Sequence, residues 1–299
     1  MAPSLACIGS SAVCDALQRR GMIARRLGPQ QTPFGESQPV YGCECSGGAF
    51  VFLPRSGDSG YELAPSFINY RANIYALKSL GVRAIVSWSE TRALCHNFKI
   101  GQYVVVDDLI DETRSRPQTF FETQGLGSVR QWPVFCQGLR GVLSAALSGD
   151  RCPVQERGVY VCIEGPRQES PAEGRKFATL GGELIGQTVA PEVFLARELQ
   201  MCYATLAYVQ RFAETGTDAR PFEHGLLLDV EVERQREQRA LDRLPTLLER
   251  LNAALAVAPE TCRCESSMQH LIEAGQIGAD WRTWFEGVSA PRLARSSIA

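Results

Sequence analysis

The stretch Gly158–Glu198 constrains the fold of this chain more than any other part of the sequence. It reads GVYVCIEGPRQESPAEGRKFATLGGELIGQTVAPEVFLARE. Its β-branched, apolar run Val159–Ile163 is typical of a buried strand, and the Gly-Pro turn that follows cannot continue a strand. We expect a short helix next, then a second strand at Glu183–Ile185 and a helix that begins at Pro191. This alternation of strands and helices is typical of an α/β sheet.

The start of the last of these helices predicts a ligand-binding edge. Pro191 suits the first helical position because its φ is fixed, and Glu192 places a carboxylate in the first turn. The free N–H groups and the positive end of the helix dipole would then face Gln187 and Thr188. From these residues alone, we expect an anion or another ligand at this edge of the sheet.

Strand and helix patterns also alternate along the rest of the chain. The apolar runs predict strands at Leu5–Ile8, Pro39–Cys45, Ala49–Leu53, Ala84–Trp88, Val104–Val106 and Tyr203–Val209. Helical periodicity is found at Phe67–Leu80 and at Asp229–Ala256, where Pro245 should cause a kink or a break. We therefore predict one α/β domain over residues 1–299, with a central mixed sheet flanked by helices and a helical C-terminal extension from about residue 216.

Composition and charge argue against two classes of partner. The net charge is −2 and no basic stripe occurs, so nucleic acid is not an expected partner. No apolar run approaches the length that spans a bilayer, so we expect no membrane partner. The first residues, MAPSLACIGSS, lack the charged start of a signal peptide, and we therefore expect a cytoplasmic protein.

The eleven cysteines are scattered along the chain. Cys7, Cys162 and Cys202 lie in apolar patterns and are expected to be small core residues in a reduced protein. Two Cys-x-Cys pairs occur, at 43/45 and 262/264. Zinc sites favour Cys-x-x-Cys spacing with histidine nearby, and the chain has only three histidines, so we predict no metal site.

Two turns after strands are candidate anion sites. Gly9-Ser10-Ser11 can present backbone N–H groups and hydroxyls to a phosphate, although such turns are also common structural features. Arg55 follows a strand among glycines and hydroxyls and is either an anion clamp or an exposed loop arginine.

Several motifs occur together in a characteristic order over residues 5–209. They are TPFG from Thr32, PSFINYRANIYAL from Pro65, GQYVVVDDLIDETRSRPQTFF from Gly101, then IEGPR and TVAPE. With these motifs the chain resembles the methylthioadenosine phosphorylase branch of the trimeric purine nucleoside phosphorylases. The resemblance implies a single-domain α/β fold, a homotrimer and cleavage of a nucleoside's N-glycosidic bond. It implies no cofactor, with inorganic phosphate as a co-substrate.

The resemblance also implies a phosphate site, part of which differs here. Ser11, Arg55 and Thr188 match family positions that bind phosphate. In this comparison, Ser56 occupies the position of a histidine, and Trp88 occupies that of a threonine. Tryptophan offers one N–H and fills space where a small hydroxyl should contact an oxyanion.

The implied base and sugar sites differ further. Arg211 and Ala213 replace aspartates that read adenine, and arginine cannot accept a hydrogen bond. Gln168 replaces an aromatic residue, Gln187 a methionine and Gly186 an asparagine. Because specificity that depends on hydrogen bonds does not survive so many changes of donor and acceptor, we predict a substrate other than methylthioadenosine.

Further candidates come from placement alone. Asp58 and Glu90 lie beside the implied phosphate and sugar sites and join Arg55 as candidate catalytic residues. Ser89 and Glu164 complete the predicted substrate-binding set, and Arg211 could pair with Glu164 or Glu90, bind an acidic ligand or fill an abandoned cavity.

Three functions remain open at this point. The first is phosphorolysis of a modified nucleoside or a related anionic metabolite. The second is a phosphate-independent reaction, and the third is non-catalytic binding of a ligand or a partner chain.

Overall fold

A computed structural model describes residues 4–60, 62–122, 128–148, 154–216, 220, 222–224, 226–257, 262–281 and 283. The strands are β1 Leu5–Gly9, β2 Ile23–Gly28, β3 Gln31–Thr32, β4 Gly35–Glu36, β5 Val40–Cys45, β6 Gly48–Pro54, β7 Ala84–Ala93, β8 Tyr103–Val105, β9 Asp108–Glu112, β10 Val154–Gln155, β11 Val159–Ile163, β12 Leu184–Gly186, β13 Cys202–Phe212, β14 Phe222–Glu223 and β15 Leu226–Leu227. The α-helices are α1 Ser11–Arg19, α2 Tyr70–Ser79, α3 Gln137–Leu147, α4 Pro171–Thr179, α5 Glu192–Glu198, α6 Val230–Val257 and α7 Gln269–Glu273.

Eleven strands of the described residues form one mixed sheet. Its main order is β10-β8-β13-β7-β1-β6-β5-β2, and β12 joins β7 to the parallel pair β11 and β9. The four neighbouring strands β6, β1, β7 and β13 run parallel, so their carboxyl ends meet at one edge of the sheet. This arrangement confirms the predicted central mixed sheet.

Helices cover both faces of the sheet and enclose two apolar cores. The first core packs α2 and α5 against one face through residues such as Ile74, Leu77 and Val193. The second core packs α1, α3 and α6 against the other face through residues such as Leu17, Leu143 and Leu248. Because side chains alternate along a strand, neighbouring residues of one strand enter different cores.

The predicted strands agree best with the structure where apolar patterns are short and complete. Val159–Ile163 is confirmed as β11, and the predicted strand at Glu183–Ile185 is shifted by one residue in β12. Two central strands extend beyond their apolar runs, β7 to Ala93 and β13 to Phe212. Polar residues such as Ser89 and Thr91 interrupt the apolar pattern, but the backbone pairing of β7 with β13 continues past them.

The helical prediction for the C-terminal part is confirmed over α6, which has Pro245 inside one continuous helix, so the expected break is absent. Its leucines, among them Leu244, Leu248 and Leu251, are buried in the second core. The start of the predicted C-terminal extension, at residues 217–219, and its end after residue 283 lie outside the described residues. Within the described part, no helix is long and apolar enough to cross a membrane.

Candidate functional site

A cavity of about 610 Å³ opens at the carboxyl ends of the four parallel strands. This edge is where open α/β sheets bind ligands, because the loops that follow the strands converge there. Its polar lining comes from the ends of β1, β6, β7, β12 and β13: Ser10, Arg55, Ser56, Ser89, Glu90, Arg92, Gln168, Gln187, Thr188, Gln210 and Arg211.

A second depression, of about 740 Å³, is lined by α3 and the segments around β9 and β10. Its charged groups already have partners within the chain. Arg157 Nε lies 2.8 Å from Asp107 Oδ2, and Arg140 donates to the carbonyls of Val106 and Glu156. We therefore assign the functional site to the cavity at the strand ends.

Arg55 lies at the buried floor of this cavity, where four hydrogen bonds hold its guanidinium. Nε and Nη2 donate to the Glu192 carboxylate at 2.8 and 3.3 Å, Nη2 donates to Ser87 Oγ at 2.7 Å, and Nη1 donates to the Trp88 carbonyl at 3.0 Å. Burial alone would lower the pKa of Arg55, but the Glu192 carboxylate outweighs it and the pKa rises. Arg55 is thus a permanent cation whose charge is largely balanced within the chain.

Glu192 has a different role from the one that its position predicted. The sequence suggested a carboxylate that stabilises the start of α5, but this side chain is buried and accepts hydrogen bonds from Arg55 and, at 2.6 Å, from Tyr203 Oη. The sequence did not indicate this pair because Arg55 and Glu192 are 137 residues apart in the chain. They come into contact only when α5 packs against the sheet at the end of β6.

Small hydroxyls surround the cavity above Arg55. Ser89 Oγ lies 3.2 Å from Thr188 Oγ1, and Ser56 is buried in the cavity lining. At the end of β1, Ser10 lines the cavity and donates to Glu90 Oε1 at 3.4 Å, whereas Ser11 is the first residue of α1. The hydroxyl contributed by this turn therefore belongs to Ser10, one residue before the predicted Ser11.

Trp88 requires a correction. Its indole lies in the second core, stacked on Tyr208 at 6.0 Å between ring centroids and edge-on to Tyr103 at 5.6 Å. Because consecutive side chains point to opposite faces of a strand, Ser89 is the residue of β7 that presents a side chain to the cavity. The prediction that a bulky indole replaces a small hydroxyl at the anion site is wrong.

Gly186 is explained by the strand beside it. A Cβ atom at this position would lie 1.8 Å from Tyr160 Oη, which is 2.8 Å from Ser89 Oγ. Tyr160 thus occupies the space that a side chain at 186 would need, and it supports the hydroxyl of Ser89 from behind. Gln187 lines the cavity and donates from Nε2 to the Arg167 carbonyl at 3.1 Å.

Besides Ser11, two predicted residues lie outside the cavity lining. Asp58 is bound by Tyr41 and Arg26, and the hydrogen bond from Tyr41 is the main cause that lowers its pKa. Glu164 accepts hydrogen bonds from the backbone N–H groups of Arg114 and Ser115. The structure therefore does not bring Asp58 or Glu164 together with Arg55, Glu90 and Arg211.

Arg211 extends from the end of β13 into the far side of the cavity. Its Nη2 donates to Gln168 Oε1 at 2.7 Å, and its Nη1 donates to Gln210 Oε1 at 3.3 Å. The nearest carboxylate oxygen of Glu233 lies 3.8 Å from Nε, which is an ion pair without a hydrogen bond. Arg211 therefore pairs with neither Glu164 nor Glu90.

Two arginines line this end of the cavity, and each has a carboxylate nearby. Arg92 also lines the cavity, but Glu169 binds it in a bidentate pair with distances of 2.9 and 2.5 Å. Burial lowers the pKa of Arg211, and the like charge of Arg92 acts in the same direction. The far side of the cavity is thus lined with hydrogen-bond donors and suits a ligand that accepts hydrogen bonds.

Glu90 is in hydrogen-bonding contact with Glu237, a residue that the sequence did not indicate. Burial, the charge of Glu90 and a hydrogen bond with its side chain raise the pKa of Glu237 to about 8. Gln210 Nε2 lies 3.5 Å from Glu237 Oε2 and completes the cluster. Glu237 belongs to the charged face of α6, which in sequence cannot be told from any solvated helix face.

Comparison with known proteins agrees with this geometry. The sequence profile of the Phosphorylase superfamily matches residues 11–253. A probable S-methyl-5′-thioinosine phosphorylase of Methanothermobacter thermautotrophicus is 35% identical over 273 residues, which cover 91% of this chain and 88% of the relative. A 6-oxopurine nucleoside phosphorylase of Pyrococcus furiosus is 35% identical and covers 88% of this chain and 96% of its own length.

Relatives with a different named substrate are similarly close. An S-methyl-5′-thioadenosine phosphorylase of Pyrococcus horikoshii is 34% identical, covering 81% of this chain and 93% of the relative. Among solved structures, a methylthioadenosine phosphorylase from an antarctic soil metagenomic library has a TM-score of 0.77 and 32% identity, with 90% of this chain and 92% of that chain covered. The fold, the position of the cavity and these similarities together show that the chain belongs to the phosphorylase superfamily, as a nucleoside phosphorylase relative.

Proposed function

We propose that the protein cleaves the N-glycosidic bond of a 6-oxopurine nucleoside with inorganic phosphate, and that methylthioadenosine is a poor substrate. The observation that carries this proposal is Arg211, which lies in the cavity with Gln168 as its tightest partner. A 6-oxopurine presents an acceptor oxygen where adenine presents an amino group. Since arginine has donors and no acceptor, it favours the oxygen. The names of two relatives, a 6-oxopurine nucleoside phosphorylase and a probable S-methyl-5′-thioinosine phosphorylase, support this preference.

The proposed mechanism assigns the base to the side of Arg211 and the phosphate to the floor. Phosphate contacts the hydroxyls of Ser56, Ser89 and Thr188 and the remaining Nη1–H of Arg55. The sugar lies between phosphate and base, beside Glu90. As the bond breaks, positive charge develops on the sugar and negative charge on the leaving base, so positioned charges supply most of the rate. Arg211 stabilises the departing base through its acceptor oxygen.

The Glu90–Glu237 pair contributes one negative charge in this mechanism. Because Glu237 keeps its proton at neutral pH, the pair places one carboxylate beside the sugar, which favours the positive transition state. Phosphate is the only co-substrate in this proposal, and no cofactor takes part. We also propose that the protein is a homotrimer, which light scattering coupled to size-exclusion chromatography measures directly.

A substrate panel tests the proposal. Inosine, 5′-methylthioinosine, adenosine and 5′-methylthioadenosine are incubated with the protein with and without phosphate, and free base and sugar 1-phosphate are quantified by chromatography. We expect phosphate-dependent release from the 6-oxopurine nucleosides. Arg211→Gln should lower kcat/KM for inosine by roughly tenfold or more because it removes a charged donor, whereas Arg234→Gln, at an exposed position of α6, should not. Preferred cleavage of the 6-aminopurine nucleosides would contradict the proposal.

A second candidate is cleavage that does not depend on phosphate. The observation that favours it is the internal pairing of Arg55, which uses four of its hydrogen bonds within the chain and leaves less charge for a phosphate. In the same panel, release of base at an equal rate without phosphate would favour this candidate. A folded protein that binds but does not cleave any member would favour non-catalytic ligand binding.

A further inference from the structure

Four cysteines from three separate parts of the chain converge at a place remote from the cavity. Cys136 precedes α3, Cys202 is the first residue of β13, and Cys262 and Cys264 follow α6. Their Sγ atoms all lie within 4.8 Å of one another. Cys136 is buried and the other three are partly buried. The sequence had suggested a core role for Cys202 and no partner for the 262/264 pair, because nothing local links residues so far apart.

The spacing of the sulfur atoms fits a shared metal ion. All four are free thiols, and Cys202 Sγ lies 3.3 Å from Cys262 Sγ, in hydrogen-bonding contact. A tetrahedral zinc ion with Zn–S bonds of about 2.3 Å places its sulfur ligands about 3.8 Å apart. Small shifts of the four side chains, which move Cys202 Sγ and Cys262 Sγ slightly apart, therefore convert the cluster into a complete tetrahedral ligand set.

A backbone donor and a guanidinium lie beside the sulfur atoms of the cluster. Leu139 N, in the first turn of the eleven-residue helix α3, donates to Cys136 Sγ at 3.4 Å. Arg197 lies beside Cys136 and Cys264, and its buried Nε has no hydrogen-bond partner among the described atoms. Four thiolates around a divalent cation carry a net charge of −2, which this guanidinium partly balances.

We propose that Cys136, Cys202, Cys262 and Cys264 bind one soft divalent cation, of which Zn²⁺ is the best match, in a closed structural site. Four thiolates with tetrahedral spacing select zinc over magnesium or calcium, which prefer oxygen ligands. Four protein ligands leave no coordination position for a substrate. The ion ties the segment after α6 to β13 and to the start of α3.

The site is separate from the phosphorolysis proposed above. Cys202 and Arg211 lie nine residues apart on β13, which corresponds to about 30 Å along an extended strand. The metal therefore does not contact the nucleoside. Its expected role is to position the C-terminal part of the chain, including α6, whose Glu237 contacts Glu90 and Gln210 in the cavity lining.

Metal analysis of the full-length protein tests the proposal. Protein purified under reducing conditions is analysed for zinc by inductively coupled plasma mass spectrometry. Protein reconstituted with Co²⁺ is examined by absorption spectroscopy. We expect one zinc ion per chain and, with cobalt, the thiolate-to-metal charge-transfer band of a tetrahedral tetrathiolate site. Cys264→Ser should lose the ion, whereas Cys45→Ser, which removes a partly buried thiol from β5, should keep it.

A titration of the wild-type protein protects the test against variants that do not fold. Adding a mercurial reagent that blocks thiols should release the zinc, measured with a chromophoric chelator, as four thiols react. The proposal is overturned if reduced wild-type protein retains neither zinc nor cobalt, or if folded Cys264→Ser retains the ion. The protein can also be treated with an alkylating reagent without prior reduction. The proposal is overturned if the four cysteines of the cluster are then recovered unmodified, as two disulfides.

Discussion

Arg55 and Glu192 form a buried ion pair at the floor of the cavity, with Arg55 Nε 2.8 Å from Glu192 Oε1. Their side chains are only 4% and 2% exposed, so neither charge has water as an alternative partner. The pair joins the end of β6 to the start of α5. It also fixes the orientation of the guanidinium beneath the proposed phosphate site.

Breaking this pair should destabilise the protein. Glu192→Gln leaves a buried, uncompensated guanidinium, and loss of one partner of a buried pair costs about 3–5 kcal/mol. Urea denaturation measures the free energy of unfolding. Exchanging both residues together, as Arg55→Met with Glu192→Leu, should cost less than Glu192→Gln alone because no charge is left unpaired. A cost for Glu192→Gln below about 1 kcal/mol would show that the pair is not buried as described.

Ser89 and Trp88, adjacent on β7, should have different effects. Ser89→Ala removes a cavity hydroxyl and should raise the KM for phosphate roughly tenfold, which is the value of one hydrogen bond to a charged group. Trp88→Phe should leave that KM unchanged and lower the free energy of unfolding by about 2 kcal/mol, because it shrinks a side chain in the second core. Steady-state kinetics measures the KM for phosphate, and urea denaturation measures the free energy of unfolding. The opposite pattern would place the indole in the cavity.

The Glu90–Glu237 pair should control the alkaline limb of activity. The pKa of Glu237 is raised to about 8 by burial and then by Glu90, so Glu237 holds its proton below that pH and loses it above. A second negative charge beside the cavity then repels phosphate, and kcat/KM should fall as the pH rises through about 8. Glu237→Gln cannot lose a proton, so its profile should lack this limb. An unchanged limb in that variant would assign it to another group.

Glu198 should make stability depend on pH. Burial raises its pKa to about 7, although Thr119 Oγ1 and Phe120 N donate to its carboxylate at 2.7 and 2.9 Å. A raised folded-state pKa means that the contribution is fully present below about pH 4.5 and is lost as the pH rises through about 7. The loss amounts to about 3 kcal/mol for a shift of this size.

Urea denaturation at several pH values measures that dependence. Glu198→Gln should flatten the decline between about pH 5 and 8, because the amide does not ionise. Glu44→Gln, at an exposed position, should retain the wild-type slope. A slope that persists in Glu198→Gln would show that other groups cause it.

Local patterns were sufficient for much of the fold. The run Val159–Ile163 became β11 without any change of boundary, since a short, β-branched, apolar segment is compatible with few other structures. The leucine stripe of α6 likewise placed this helix against a core. Of the two effects expected of Pro245, a kink or a break, the break is absent. The motifs also identified the family correctly.

The side chains of the site were predicted less well, because a register error of one residue reverses the direction of a side chain. Trp88 does line the cavity, but its indole packs in the second core, and the neighbouring Ser89 presents its side chain to the cavity. Ser10 likewise takes the place expected for Ser11 in the cavity lining. Matching a motif gives the segment that contributes to a site but does not give the face of the strand.

The sequence by itself determined the order of strands and helices, the family and the segments that meet at the ligand-binding edge, because these depend on local periodicity and on motif order. Only the tertiary structure decided that Glu192 neutralises Arg55, that Glu237 lies beside Glu90 and that four distant cysteines meet. The physical reason is that ion pairs, hydrogen bonds between side chains and contacts between sulfur atoms act over a few ångströms in space. Residues far apart in the chain come that close only when the sheet and its helices have packed.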